Sequence, residues 1–392
     1  MKNKDNQWFT KSLLYSSGHF VSDIYPGFLA PILPLLIAKF GLSLTFAAFL
    51  ASISSFSASM NQIIFGYLSD KYTSRFFIIF GPVISAVFYS SMGWMPDKYL
   101  LAICVFCGGM GVAMFHPLAA KMTNQVGENH KGTAMSIFVT GGSIGYSIGP
   151  LVVTYLIALK GIKIVPVAIV PALIMSVIMV RFSPIPLTNN SKHKNFVFKE
   201  NIKALTSIGI YVSIGTIRSI TIMGFNTFIP ILYAFRQESL EAGAFAIFIM
   251  HVFGGIGGLV GGLITDKVSP KLIISLSFVL ATPVLYIFLH SFGVLSLIAL
   301  GLTGGLLHSS IPAVITQAQS TMPEHMATVS SMVMGFSWGL GGIMVILVGK
   351  SADLFGLLPT LNVLAFFPLI GFVLSLLLHH RSVDKIKFPD YI

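Results

Sequence analysis

The chain has 392 residues, of which 55% are apolar and only 9% are charged, and its formal net charge is +11. So few charges cannot cover the surface of a soluble globular protein, so the composition excludes that class and predicts an integral membrane protein. The basic excess does not indicate a nucleic-acid partner, because 17 of the 24 Lys and Arg residues fall on one side of the predicted membrane spans. Six fall on the other side: Lys39, Lys98, Lys160, Lys163, Arg236 and Lys350.

Twelve apolar stretches are long enough, at roughly 20 residues each, to cross a bilayer as α-helices. The first is not a cleaved signal peptide, because it is too long for one, carries Asp23 and is followed by eleven more spans. The sequence therefore predicts an all-α polytopic membrane protein surrounded by lipid. The charge asymmetry predicts that both termini lie in the cytoplasm, and the expected location is the inner (cytoplasmic) membrane.

The first span carries two ionisable residues, His19 and Asp23, one helical turn apart on the same face. Pro26, Pro31 and Pro34 follow, so we expect a weakened helix whose freed carbonyls line a cavity. Ionisable groups inside a membrane cost several kcal/mol unless they are paired or hydrated, which makes each of them a functional candidate.

The later spans add three more candidates: His116 before a proline in the fourth, Arg218 in the seventh and His308 in the tenth. The predicted set for binding protons or substrate is therefore His19, Asp23, His116, Arg218 and His308. Cys104 and Cys107, the only cysteines, lie in the fourth span without partners for redox or metal chemistry, so we interpret them as packing residues.

A loop motif follows the second span and recurs after the eighth. "GYLSDKYTSR" runs from Gly66 to Arg75, and "GLITDKVSPK" runs from Gly262 to Lys271, 196 residues later. A carboxylate beside the N-terminus of a neighbouring helix is stabilised only while the two helices meet. We therefore predict a conformational latch in each half, formed by Asp70, Lys71, Arg75, Asp266 and Lys267.

Glycines mark the fifth span, where Gly141, Gly145 and Gly149 recur at intervals of four and Pro150 follows. This spacing places the three glycines along one helix face, where small residues let helix backbones approach closely in lipid. We therefore predict that these four residues form a helix interface, with the proline bending or ending the helix.

The only sizeable polar stretch, "SPIPLTNNSKHKNFVFKENIK" at residues 183–203, predicts a cytoplasmic linker between six-helix bundles at 1–182 and 204–392. The 196-residue offset also aligns Pro34 with Pro230 and Gly145 with Gly341. Weak internal symmetry of this kind is typical of transporters, whose binding site lies between the repeats. The same offset aligns Arg218 with Ser22, which predicts that Arg218 and Asp23 face one cavity.

Two six-span halves with Gly-x-x-x-Asp-Lys in both loops resemble the major facilitator superfamily over essentially the whole chain. "HFVSDIYPGFLAPILPLL", "MFHPLAAK" and "IRSITIMGFNTFIP" resemble its fosmidomycin-resistance branch, and "GGSIGYSIGP" resembles the glycine-proline motif of its exporters. The chain departs from the family at Thr73 and Ser74, usually Gly-Arg, and at His116, where many drug antiporters have arginine. The resemblance implies a fold in which the glycine-rich spans meet across a sliding interface.

These features favour a proton-coupled exporter of small molecules that works by alternating access and uses the proton gradient rather than a cofactor. The alternatives are a proton-coupled nutrient symporter and an efflux transporter for transition metals or metallophores, since His19, Asp23 and His116 offer suitable ligands. No repeated metal-ligand spacing supports a metal site, and the sequence has neither a Gly-x-Ser-x-Gly nor a His-Glu-x-x-His motif of an enzyme. The expected partners are substrate, protons and lipid, and the expected state is a monomer.

The balance of charges predicts the sign of the substrate. The predicted set contains one acid, Asp23, and several basic groups, which are Arg218 and the histidines. A low-dielectric cavity with this balance stabilises negative charge, and a guanidinium suits a carboxylate or phosphonate. We therefore expect acidic or amphiphilic substrates.

Overall fold

The computed structural model describes residues 7–71, 75–127, 130–184, 202–265, 267–322, 329–330 and 332–378. Every regular element within these ranges is a helix. In hydrocarbon all backbone N–H and C=O groups must be paired internally, and a helix achieves this within one segment.

The helices in the first half of the chain are α1 Gln7–Ile24, α2 Leu29–Phe40, α3 Leu44–Lys71, α4 Phe76–Ser90, α5 Lys98–Val126, α6 Lys131–Lys160 and α7 Ile169–Phe182. Those in the second half are α8 Ile202–Phe235, α9 Leu240–Thr265, α10 Pro270–His290, α11 Gly293–Thr321, α12 Ser337–Phe355, α13 Leu357–Ala365 and α14 Phe367–Leu376. Short 3-10 turns (Pro26–Phe28, Met92–Trp94 and Ile162–Ala168) and a π-turn (Met332–Phe336) interrupt the spans.

Eleven helical segments of the described chain are long and apolar enough to cross a membrane. The third predicted span corresponds to α4, which is shorter at 15 residues because a 3-10 turn begins at Met92. Large apolar side chains such as Val177 and Leu263 are exposed on these segments, as lipid contact requires. The predicted all-α polytopic fold is confirmed.

The first membrane span is broken directly after the ionisable pair. α1 ends at Ile24, Pro26 opens the 3-10 turn, and α2 starts at Leu29. Proline has no N–H to donate and its ring clashes with the preceding helical turn, so it ends a helix. The break at Pro26 therefore lies where the sequence predicts a weakened helix, whereas Pro31 and Pro34, also predicted to weaken it, lie inside the continuous helix α2.

The contacts divide the chain into two compact units. Unit 1 comprises Met1–His193, Asn226–Phe248 and Gly342–Leu354, and unit 2 comprises Lys194–Phe225, Ile249–Gly341 and Phe355–Ile392. The division predicted at 1–182 and 204–392 stays a prediction, and 185–201 of the predicted linker lie outside the described residues.

Equivalent positions of the 196-residue repeat form the core of each unit. Tyr15 and Ile78 are buried in the core of unit 1, and their counterparts Tyr211 and Ile274 are buried in the core of unit 2. The internal repeat is therefore a repeat of packing as well as of sequence.

The basic residue that ends each loop motif binds backbone carbonyls. Arg75 Nη1 donates to Val180 O at 3.1 Å and to Ser183 O at 2.5 Å, at the C-terminal end of α7. Lys271 Nζ donates to Leu376 O at 2.7 Å. Lys271 and Leu376 are the repeat equivalents of Arg75 and Val180. Cations are favourable beside the carbonyls that a helix C-terminus leaves unpaired. Each motif thus holds the end of the last helix of its half.

The glycine face of α6 packs on α1. A Cβ added at Gly141, Gly145 or Gly149 would collide with a carbonyl oxygen of α1, at Ser16, Phe20 and Ile24 respectively. Both series advance by four residues, so the two helices run in contact over about two turns. In unit 2 the same device joins α9 to α11, because a Cβ at Gly257 would collide with the Gly305 backbone.

Candidate functional site

Helices α1 and α5 bring His19, Asp23 and His116 together inside unit 1. His19 Nε2 lies 3.1 Å from Asp23 Oδ2, and His116 Nε2 lies 3.3 Å from Asp23 Oδ1. The two Nε2 atoms are 2.9 Å apart. Two imidazoles and one carboxylate therefore converge on one point within the membrane span.

Backbone carbonyls fix the orientation of both rings. His19 Nδ1 is 2.8 Å from Phe138 O on α6, and His116 Nδ1 is 2.8 Å from Val112 O one turn earlier on α5. The His19 ring also stacks on Phe138, with centroids 4.1 Å apart. Space for this ring exists because residue 142 is glycine, since a Cβ at Gly142 would collide with the imidazole.

The cluster is largely shielded, with more access on the side of α5. The side chains of His19, Asp23 and His116 are 9%, 16% and 21% exposed. Asp23 Oδ1 is buried and accepts no hydrogen bond of good geometry from the described residues. A carboxylate so placed is stable only with positive charge beside it, so the cluster has the composition to hold protons. The three ligand atoms also lie within 4.8 Å of one another, as a metal site would require.

The cluster is not repeated at the equivalent positions of unit 2. At the repeat offset His19 corresponds to Gly215, Asp23 to Ser219 and His116 to Pro312. The two units have therefore diverged at these positions, although their cores have kept equivalent packing.

Arg218 and His308 lie in unit 2. Arg218 is only 1% exposed, and its Nε and Nη1 have no hydrogen-bond partner among the described residues. His308 Nδ1 is 2.9 Å from Gly304 O, and the positive charge of Arg218 interacts electrostatically with the His308 ring. A buried guanidinium with unpaired donors would be stabilised by an anion beside it. The predicted facing of Arg218 and Asp23 stays a prediction.

The structure adds polar residues that the sequence prediction missed. Tyr146 on α6 is linked to Asn226 on α8 within unit 1, with 3.4 Å between Tyr146 OH and Asn226 Nδ2. Tyr89 OH on α4 is 2.5 Å from Ser54 Oγ on α3. An amide side chain inside an apolar span is the signal that could have revealed Asn226.

The predicted latch residues are described only in part. Asp266 and the side chain of Asp70 lie outside the described residues. Lys71 is exposed at the end of α3, and Lys267 is exposed just beyond α9. Arg75 binds the end of α7, as described above.

Comparison with known proteins identifies the family. The sequence model of the Major Facilitator Superfamily matches residues 15–346. The fosmidomycin resistance protein of Escherichia coli is 27% identical over 386 residues, covering 94% of this chain and 93% of that protein. YfnC of Bacillus subtilis, described as an uncharacterized MFS-type transporter, is 25% identical over 373 residues, covering 92% and 90%.

The fold comparison agrees. A crystal structure of a bacterial homolog of the human lysosomal transporter Spinster superposes with a TM-score of 0.79 at 14% identity, over 94% of this chain and 96% of that chain. At this identity the likeness concerns the fold alone. The family match and the shared fold together identify a multi-pass membrane protein of a family that binds small-molecule substrates and is not an enzyme family. The chain belongs to the Major Facilitator Superfamily of transporters.

Proposed function

We propose that the protein is a secondary active exporter that exchanges protons for small molecules carrying an acidic group, by alternating access. The observation that carries the proposal is the shielded cluster of His19, Asp23 and His116. Imidazole is the side chain that most readily gains and loses a proton near neutral pH. A transporter driven by a proton gradient needs such a group inside the membrane, where it can face each side in turn.

The substrate class rests on Arg218. A guanidinium that is 1% exposed and has unpaired Nε and Nη1 donors leaves a substantial desolvation cost uncompensated. An acidic substrate group would offset that cost, and a carboxylate or phosphonate matches the planar donors of arginine. The relative named for resistance to fosmidomycin, a phosphonate, supports the same class.

The proposal is tested by transport into sealed, inverted vesicles with and without an imposed pH gradient, with fosmidomycin as the probe. We expect gradient-dependent accumulation that collapses when a proton ionophore is added. Asp23→Asn should lose this accumulation, because the neutral amide removes the negative charge that stabilises a proton in the cluster. Accumulation by Asp23→Asn at the wild-type rate would contradict a role for Asp23 in coupling.

The alternatives predict different outcomes in the same vesicles. Metal or metallophore efflux is the second candidate, favoured by the three ligand atoms that lie within 4.8 Å of one another. It predicts accumulation of Co²⁺ or Zn²⁺, alone or chelated, with no response to fosmidomycin. A nutrient symporter predicts that the gradient drives substrate in the opposite direction, from the outer to the cytoplasmic side.

A further inference from the structure

We infer that His19 and His116 share one proton between their Nε2 atoms, with Asp23 as its counter-ion, and that this is the proton exchanged during transport. The role of this proton in transport rests on the proposed function, whereas the shared proton itself rests on geometry alone. The inference places the proton on the imidazole pair rather than on the carboxylate.

The two backbone carbonyls fix the tautomers. His19 Nδ1 and His116 Nδ1 are each 2.8 Å from a carbonyl oxygen, of Phe138 and Val112 respectively. A carbonyl oxygen only accepts hydrogen bonds, so both Nδ1 atoms carry hydrogen. A neutral imidazole has a single N–H, so in the neutral state both Nε2 atoms would be bare acceptors.

The distance between the two Nε2 atoms then indicates how many protons lie on them. At 2.9 Å they are at hydrogen-bond distance, and two bare lone pairs would repel each other there. Two added protons would put two cationic rings 2.9 Å apart beside a single carboxylate, which leaves a net positive charge in a shielded site and is unfavourable. One added proton gives an imidazolium that donates to a neutral imidazole, which is the arrangement that fits the distance.

The carboxylate balances this proton. The Asp23 oxygens lie 3.1 Å and 3.3 Å from the two Nε2 atoms, so an ionised Asp23 makes the occupied cluster neutral overall. A proton on Asp23 instead would leave the contact between the two Nε2 atoms without a hydrogen. Tyr89 on α4 and Tyr146 on α6 are the titratable groups that interact with Asp23 from other helices, and phenols are neutral near pH 7.

Release of the shared proton has a mechanical consequence. The emptied cluster would carry one negative charge and would set two lone pairs against each other and against the carboxylate. His19 lies on α1 and His116 on α5, so this repulsion acts between two helices. Proton loss therefore favours a rearrangement of α1 against α5.

Magnetic resonance on the full-length protein in bilayers, with histidine labelled with the heavy nitrogen isotope, tests the inference. We expect a nitrogen–nitrogen scalar coupling across the shared hydrogen, with both Nδ1 atoms protonated, at neutral pH. His19→Gln and His116→Gln should each abolish the coupling, whereas His290→Gln, an exposed histidine paired with Asn362, should retain it.

The outcomes separate the inference from the proposed function. Absence of the coupling, or an unprotonated Nδ1 in either ring, would overturn the shared proton even if vesicles show proton-driven export. A spectrum that changes when the purified protein is treated with a chelator would assign the cluster to a metal ion and overturn it as well. A coupling in protein whose vesicles ignore the gradient would uphold the shared proton and reject its role in transport.

A second inference rests on an independent contact at the N-terminal end of α3, the end opposite Asp70. Asp353 on α12 accepts hydrogen bonds from Leu44 N and Thr45 N, both at 2.8 Å, and from Thr45 Oγ1. One helical turn earlier, a Cβ at Gly349 would lie 2.6 Å from the Ala48 Cβ. All of these residues belong to unit 1.

We propose that Asp353 is a latch that holds α12 against α3 by capping the N-terminus of α3. An N-terminal cap satisfies N–H groups that the helix leaves unpaired and interacts with the positive end of the helix dipole. Because the cap comes from a different helix, it exists only while the two ends meet. If α3 and α12 separate at this end during transport, as the proposed alternating access implies, the cap must break.

Spin-label distances between the exposed positions 38 and 354 in lipid bilayers test the latch. Asp353→Asn should increase several-fold the fraction of molecules in which the two labels are far apart. The amide keeps one acceptor oxygen but loses the negative charge and the second acceptor. Glu241→Gln removes an exposed acidic residue near the start of α9 and should leave the distribution unchanged. Identical distributions in wild-type protein and Asp353→Asn would overturn the latch whatever the vesicles transport.

Discussion

Single residues in this chain show how few polar groups a membrane interior tolerates and what each must find there. Asp23 lies beside two histidines, and each histidine ring has a carbonyl for its remaining nitrogen. Arg218 differs from these residues, because two of its charged nitrogens have no hydrogen-bond partner within the described chain. A group that is paired within the protein is explained by the fold, whereas one that is not calls for a ligand.

Arg218 is the most direct test of the substrate class. Arg218→Lys keeps the charge but loses the planar donors, so we expect binding of fosmidomycin to weaken at least tenfold. Arg218→Ala should abolish binding. Calorimetric titration of the purified variants measures both effects, with Arg181→Lys, an exposed arginine at the end of α7, as the matched control. Unchanged binding by Arg218→Ala, together with export of a lipophilic cation, would indicate a general cationic-drug pump.

Gly142 tests the construction of the histidine pair. Alanine at position 142 places a Cβ against the His19 ring, so the ring must move, at a cost of about 1–3 kcal/mol. We expect Gly142→Ala to lower the melting temperature and to impair gradient-driven export. Gly209→Ala is the matched control, because a Cβ there meets nothing within 4 Å. A Gly142→Ala protein with wild-type melting and export would show that His19 need not occupy its observed position.

The sequence predicted some of this site and could not predict the rest. His19 and Asp23 are four residues apart in one helix, so their shared face follows from helical periodicity. His116 comes from another helix, and its contact with Asp23 depends on how α1 and α5 pack. The carbonyls of Phe138 and Val112 belong to the backbone, so no pattern of side chains indicates them.

At the level of helices, small residues and helix ends set the packing. The glycines of α6 were predicted to form a helix interface, and the structure gives α1 as the partner. Periodicity identifies the face but not the neighbour, since any helix backbone could approach it. Arg75 shows the same limit, because its partners are the end carbonyls of α7 rather than a side chain that the sequence displays.

The two basic caps provide a prediction about helix ends. Arg75→Ala and Lys271→Ala each remove a cation from the last carbonyls of a helix, so each should destabilise the protein by on the order of 1 kcal/mol. Thermal unfolding in detergent measures the effect, and Lys350→Ala, an exposed lysine on α12, is the control. Because the caps are equivalent in the repeat, we expect similar losses. Destabilisation of only one variant would contradict the expectation that the two caps contribute similarly to stability.

At the scale of the whole molecule, the 196-residue repeat explains the duplicated features but not the candidate site. Cores and helix caps recur in both halves because each half must fold in lipid by the same packing. The buried charges do not recur, since His19, Asp23 and His116 correspond to Gly215, Ser219 and Pro312. The repeat thus accounts for the shared packing of the two halves, whereas the ionisable residues of the candidate site are departures from it.

The duplicated acids of the loop motifs carry the last prediction, which concerns the balance between conformations. Asp70→Asn and Asp266→Asn each remove a charge that we predict to be stabilised by a helix N-terminus in only one conformation. Each variant should therefore shift the populations of the inward- and outward-facing states while leaving fosmidomycin binding intact. Distances between labels on the two halves, measured in bilayers, report the populations. Unchanged populations in both variants would leave these acids with a role in membrane topology only, and loss of binding would place them at the substrate site instead.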